Sequence, residues 1–319
     1  MKTKRAFLVA PRKIEIREID IEMNDDQVLI KVASCGLCNW EQNHWKGLLW
    51  ADRYPFALGH EYAGTVIEVG KNVTKLKVGD KVASLSGMQG FGEYAVCDPV
   101  NTFRLDDCID PKYALGEPLE CVTTVLTAAA PCPGDYGVIL CCGTMGKLCT
   151  LCLKGNLLAG LIAVDIDERK LALARQFGAT ATVNPLKENA VEKVRELTEG
   201  HMADFVIEGT GRPATLNEAQ DYVKVGRGRL LLMSSHEEAC REFDFRKAID
   251  RGLDLLVPHP SHSISNIDDM RRACRLISNG TYQIKPLISH EFPLSRIMDA
   301  FDTLEHKPKD YLKGLVYPD

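Results

Sequence analysis

Residues 136–179, YGVILCCGTMGKLCTLCLKGNLLAGLIAVDIDERKLALARQFGA, restrict the possible fold more than any other stretch. A short apolar run leads into a glycine-bearing turn and then an apolar stretch of helical length. A second apolar run ends in Asp165, and an amphipathic segment follows and is closed by Gly178. Short apolar runs bounded by turns read as buried strands, and strands alternating with helices build parallel βαβ units. "ADFVIEGTG" and "GRLLLMSS" supply further buried strands. The middle of the chain is therefore expected to form an α/β doubly wound parallel sheet.

The turn itself, CCGTMG at 141–146, matches G-x-G-x-x-G in its second and third glycines, Gly143 and Gly146, with Cys141 in the first place. In that fingerprint the middle glycine lets the backbone approach a pyrophosphate, and the last permits close helix packing. The following helix directs its N-terminus at the phosphates. Asp165 falls about 20 residues on, where a carboxylate binds the ribose 2′-hydroxyl. Asp167 is free to cap the helix, so Asp165 is available for the ribose. Gly143, Thr144, Met145, Gly146, Asp165 and Lys170 are the candidate cofactor contacts. A carboxylate repels a 2′-phosphate, which favours NAD, although Arg169 and Lys170 leave some room for NADP.

The first hundred residues differ in character. "KIEIREIDI" and "QVLIKVAS" alternate apolar and polar residues. "AGTVIEVG" and "KVASLS" are short β-branched runs with a glycine-rich turn between them. A small antiparallel barrel-like domain is expected. The tail from about 260 carries a helix, 267–280, and strand-like "YQIKPLI" and "LKGLVYP"; its resemblance to the head implies that it folds back onto the first domain. The 319 residues fit two domains. The net charge of −5 argues against a general nucleic-acid binder. The opening "MKTKRAFLVAPRK" is too short in apolar residues for a signal peptide, and 138–164 is too interrupted by lysines for a membrane span. A cytoplasmic chain is expected.

Twelve cysteines in a chain of this size do not make a disulfide scaffold. Cys141, Cys142, Cys149 and Cys152 read as small core hydrophobes. Cys35-x-x-Cys38 could be two buried thiols, a metal knuckle, or one corner of a larger site. A structural zinc knuckle needs a second pair nearby, and none follows. "GHE" at 59–61 adds His60 and Glu61. One thiolate, one imidazole and one or two carboxylates, with a position left open, is the donor set of a catalytic zinc.

"GHEYAGTVIEVGKNVTKLKVGDKVA" resembles the signature of the zinc-dependent medium-chain alcohol and polyol dehydrogenases. "CGLC" before it, "FGEYAV", "GEPLECVTTVL" and "VDIDERKLALARQFGA" after it, and "PLISHEFPLSRIMDAFDTLEHKP" near the end fit the same family in the same order. The resemblance implies a GroES-like β-barrel catalytic domain, 1–117 and 259–319, split by a Rossmann NAD-binding domain, 118–258. Cys38, His60, Glu61 and Glu117 then resemble the zinc ligands, with Glu120 as an alternative to Glu117. Glu41 occupies the place of a carboxylate that orients the histidine, and Lys313 resembles a basic residue near the cofactor phosphates. The resemblance also implies a homodimer or homotetramer acting on a small-molecule substrate.

The chain departs from the family pattern in three places. "SLSGMQGFGEYAVC" carries no four-cysteine lobe, so one catalytic zinc per chain and no structural zinc is expected. Trp40 stands where relatives have a hydroxyl, and Asn43 where some have a histidine. An indole N–H cannot accept a proton, so His44, Glu41 or a water chain must serve as relay. Cys141 replaces a glycine. The implied function is reversible hydride transfer between NAD and a secondary alcohol or ketone, on a sugar, polyol or (amino)cyclitol. Trp45, Trp50 and Tyr54 are candidate flat faces for it, and "MSSH" and "PHPSH" candidate pocket loops. The alternatives are a zinc-free reductase of the same fold and a catalytically lapsed NAD-binding relative.

Overall fold

The computed structural model describes residues 1–155, 157–235 and 239–319. The chain divides into two units, Met1–Glu120 with Ile267–Asp319, and Cys121–Asn266. The first segment holds strands β1 (Lys2–Ala10), β2 (Lys13–Asp20) and β3 (Val28–Gly36), helix α1 (Asn39–Trp45), and strands β4 (Phe56–Ala57), β5 (Tyr62–Val69), β6 (Lys81–Ser84), β7 (Tyr94–Cys97) and β8 (Thr102–Arg104). Helix α2 (Gly116–Ala129) follows. The second unit holds β9 (Tyr136–Leu140), α3 (Thr144–Leu153), β10 (Gly160–Val164), α4 (Glu168–Phe177), β11 (Ala181–Val183), α5 (Ala190–Leu197), β12 (Phe205–Glu208), α6 (Pro213–Tyr222), β13 (Arg229–Leu232), α7 (Phe245–Arg251) and β14 (Asp254–Leu256). The chain closes with α8 (Asn266–Ser278), β15 (Ile288–Pro293), α9 (Ile297–His306) and β16 (Lys313–Tyr317).

In the first unit a three-stranded sheet runs β2-β1-β4 and a larger one runs β15-β16-β3-β5-β6-β8, with β7 also on β3. Pairing is antiparallel throughout except for β15 and β16, which lie parallel. The alternation read in "KIEIREIDI" and "QVLIKVAS" gives strands β2 and β3. Val28, Ile30 and Val32 of β3 point into a core with Ala6, Leu8, Val66 and Val82, to which the tail adds Phe301, Leu304 and Val316. The tail strand expected in "YQIKPLI" is displaced: Lys285–Leu287 form a 3₁₀ turn and the strand begins at Ile288. Pro286 has no N–H to donate to a ladder, which favours the turn.

The second unit is a six-stranded parallel sheet in the order β11-β10-β9-β12-β13-β14. Counted within the unit this is 3-2-1-4-5-6, the doubly wound order expected from the sequence. The strand order reverses between β9 and β12, and ligands of such sheets bind beyond the carboxyl ends of the strands at that point. Asp167 caps α4 by accepting from the Arg169 N–H at 2.9 Å, and Gly178 closes it with φ 123°. Cys142, Cys149 and Cys152 are buried as expected, but Cys141 is only half-buried and takes φ 89°. It belongs to the turn rather than the core. Among the described residues no helix is long and apolar enough to cross a membrane.

Candidate functional site

Strand β3 ends at Gly36 and hands the chain to α1 through Leu37 and Cys38. The Cys38 backbone is extended (φ −119°, ψ 151°), and its N–H donates to Glu41 Oε2 at 3.3 Å, which fixes the start of the helix. Glu41 is fully buried. Its other oxygen accepts from the N–H groups of Gly59 at 2.8 Å and His60 at 3.2 Å, and lies 3.1 Å from His60 Nδ1. One carboxylate thus pins the start of α1 to the Gly59-His60 turn. That turn needs glycine: Gly59 has φ 103°, and a Cβ there would lie 2.4 Å from the Phe91 nitrogen.

Cys38, His60 and Glu61 each offer a ligand atom, and these atoms all lie within 4.8 Å of one another. Glu117, in the first turn of α2, places Oε2 3.8 Å from His60 Nε2. Glu120, one turn on, is buried. Burial pushes the Cys38 thiol up, and the charge of Glu61 adds to this, while His60 pulls the other way. Burial lowers the His60 imidazole, but Glu41, Glu117 and Cys38 outweigh it and raise the group well above its ordinary range. Sulfur, nitrogen and oxygen donors concentrated in so small a volume, with a net excess of negative charge, suit a borderline-soft dication.

Lys313, expected from the resemblance near the cofactor phosphates, has a partner in the cluster itself. Its ammonium is buried, 2.8 Å from Glu61 Oε1 and 2.5 Å from Oε2, with side-chain exposures of 5% and 2%. Only the Oε1 contact has hydrogen-bond geometry. Burial opposes the charge on Lys313, but Glu61 and Cys38 overcome it and raise the group. An ammonium held this way neutralises Glu61. A separation of 252 residues leaves no local signal for this pair.

The rings around the cluster also differ from expectation. Trp45 is buried in the core, tilted on Phe301 at 5.2 Å with its N–H on Glu305 at 2.8 Å, so it offers no face to a ligand. Trp40 meets both His60 (5.2 Å) and His44 (4.2 Å) edge-on. His44 is fully buried, with Nδ1 on the Leu49 carbonyl at 3.2 Å and its ring against Trp50 and Phe56. Burial lowers its basicity. Nδ1 is thus engaged, Nε2 has no hydrogen-bond partner among the described residues, and the ring is enclosed among Trp40, Trp50 and Phe56. Trp50 and Tyr54 join this aromatic group.

In the second unit the CCGTMG turn connects β9 to α3, with Gly143 as the N-cap. A Cβ on Gly146 would lie 1.9 Å from the Cys141 carbonyl oxygen, so the helix and strand close only over glycine. Cys141 keeps a left-handed backbone in the first fingerprint position, and the Gly143 N–H points at its sulfur at 3.4 Å. Asp165 is nearly buried at the end of β10; it accepts from Cys142 N–H at 2.7 Å and Asp167 N–H at 2.9 Å. Each carboxylate oxygen keeps a further lone pair. Thr144 and Met145 form the first turn of α3, and Lys170 the first turn of α4. His259 and His262 are exposed and lie ring to ring at 5.3 Å. His236 of "MSSH" lies outside the described residues.

Two family models match the chain. An alcohol dehydrogenase GroES-like domain covers residues 24–149, and a zinc-binding dehydrogenase domain covers 144–279. The chain is 29% identical to an L-threonine 3-dehydrogenase of Bacillus subtilis, over 95% of this chain and 94% of that one. It is 27% identical to a D-arabitol-phosphate dehydrogenase of Enterococcus avium, over 92% of each. A crystal structure of an Escherichia coli oxidoreductase of unknown specificity superposes with a TM-score of 0.90 at 26% identity, covering all of both chains. The order of motifs, the two folded units and these matches agree: the chain belongs to the zinc-type medium-chain alcohol and polyol dehydrogenase family.

Proposed function

We propose that the chain is a zinc- and NAD-dependent dehydrogenase that interconverts a secondary alcohol and a ketone on a sugar, polyol or (amino)cyclitol. The observation that carries this reading is the convergence of Cys38, His60 and Glu61 within 4.8 Å, with Glu117 against His60 and Glu41 behind it. This donor set fits zinc, held by Cys38, His60 and the carboxylates of Glu61 and Glu117. A zinc ion there supplies Lewis acidity that polarises an alcohol or carbonyl oxygen.

The chain's own residues do the rest. The Glu41 carboxylate can only accept, so Nδ1 of His60 keeps its hydrogen and Nε2 is the nitrogen that would give up its proton to bind a metal. Lys313 cancels the charge of Glu61 and so limits the negative charge around the thiolate. Trp40 flanks His60 edge-on. NAD supplies the hydride acceptor when bound. The Gly143–Gly146 turn offers its backbone to the pyrophosphate, and the negative charge of Asp165 disfavours a 2′-phosphate. The carboxylate-rich donor set and relatives acting on L-threonine and D-arabitol phosphate support a hydroxylated substrate over a simple alcohol.

The test is a panel of polyols, sugar alcohols and cyclitols with NAD or NADP, followed by reduced-cofactor absorbance with and without a chelator. Chelator-sensitive reduction of NAD by a polyol is expected. Reduction unaffected by metal removal contradicts the reading.

A further inference from the structure

Three side chains continue outward from His60 within the first unit. Trp40 is 36% exposed and lies edge-on to His60 at 5.2 Å. Trp50 lies edge-on to Trp40 at 5.5 Å. The Arg53 guanidinium then sits 4.9 Å from the centre of the Trp50 ring. Arg53 is exposed, and among the described residues its side chain has no ion pair or hydrogen bond. Most other arginines near the first unit's surface do have such partners: Arg12 with Glu305, Arg17 with Glu15, Arg104 with Asp80, Arg296 with Asp299.

Polar capacity within the same ring cluster is also unmet. Among the described residues, His44 Nε2 and Tyr54 Oη are buried without a hydrogen-bond partner. The segment from Trp40 to Phe56 is therefore a wall of flat rings with unspent polar groups, ending in an unpaired cation. Indole faces suit the C–H side of a polyol chain. A guanidinium laid on an indole is held in place, and its planar fork matches a phosphate or carboxylate in two hydrogen bonds. Two indoles stand between His60 and Arg53. An anion beside the reacting carbon, as in a short α-amino acid, does not reach both ends.

We propose that Arg53 determines substrate specificity by binding a phosphate monoester at the end of a polyol remote from the reacting carbon, with Trp40 and Trp50 as the wall between. This rests on the polyol dehydrogenase reading above. The experiment uses the full chain and a panel of pentitols and hexitols, each free, as its terminal phosphate, and as the corresponding aldonate. Binding is read by indole fluorescence, independently of turnover, and KM and kcat are read separately. The wild type is expected to bind a polyol phosphate at least tenfold more tightly than the free polyol. Arg53→Gln is expected to abolish that preference, raising KM for the phosphate with kcat unchanged. Its thermal midpoint and its affinity for the free polyol are expected to stay as in the wild type. Arg53→Lys is expected to recover part of the preference.

Equal effects of Arg53→Gln on free and phosphorylated polyols overturn the assignment. So does binding of no phosphate, or a preference for the aldonate. Arg53-dependent phosphate binding with no NAD reduction by any polyol supports the Arg53 assignment and sinks the dehydrogenase reading.

Discussion

Glu41 Oε1 lies 3.1 Å from His60 Nδ1 while accepting from the backbone N–H groups of Gly59 and His60. The same carboxylate orients an imidazole and, counting the Cys38 N–H on its other oxygen, accepts from three backbone donors. Glu41→Gln keeps the shape but removes the charge. Metal affinity is expected to fall by about 10–100-fold, the usual cost of losing an outer partner of a ligating histidine. Glu41→Ala also orphans buried amides, each at about 1–3 kcal/mol. Chelator competition checks the first effect and urea unfolding the second.

The Lys313–Glu61 pair is almost wholly out of solvent. Removing one partner strands the other charge. In chelator-treated protein, Lys313→Met is expected to cost about 3–5 kcal/mol, and adding Glu61→Leu to recover most of it. A double-mutant cycle by urea unfolding measures the coupling; additive losses contradict it.

Cys141 occupies a left-handed backbone, φ 89°, where glycine is at ease. Relief of that strain in Cys141→Gly is expected to stabilise the second unit by about 1 kcal/mol. It also frees the Gly143 N–H from the sulfur that it now faces. Dinucleotide affinity, read by fluorescence titration, is expected to rise; an unchanged affinity with a raised thermal midpoint separates strain from amide blockage.

Glu305 accepts from Arg12 at 2.8 and 3.2 Å and from the Trp45 indole at 2.8 Å, so α9 is tied to the head of the chain. Arg12 first and Trp45 second hold its carboxyl down to about 2. The folded value lies below the unfolded value of about 4.3. The stabilisation is therefore present above that unfolded value and disappears as pH falls through the folded one. Arg12 is more than half exposed, so solvent screening keeps the contribution to roughly 1 kcal/mol. Glu305→Gln is expected to lower stability at pH 7, with the difference shrinking below pH ~4 and closing near pH ~2.

The parallel sheet was legible because its signals are local. Apolar runs, Gly143 and Gly146, the Asp167 cap and the Gly178 stop lie within 44 consecutive residues. The cluster of Cys38, His60 and Glu61 was legible for a different reason: these residues sit in short motifs that carry their own context. What sequence left hidden is what long-range packing decides. Trp45 and Trp50 look alike in sequence, yet one packs on Phe301 and the other against Trp40. Lys313 meets Glu61 only because β16 pairs with the end of β3 beside Cys35 and Gly36. Arg53 is an ordinary loop cation until Trp50 is seen beneath it.

Metal content tests the central claim most directly. Zinc is measured by mass spectrometry in the purified wild type and in Cys38→Ser, alongside polyol-dependent NADH formation. The expected result is one zinc per chain in the wild type, with metal and activity lost together in the variant. A wild-type chain that reduces NAD without bound metal, or a Cys38→Ser chain that keeps its full zinc, contradicts the account.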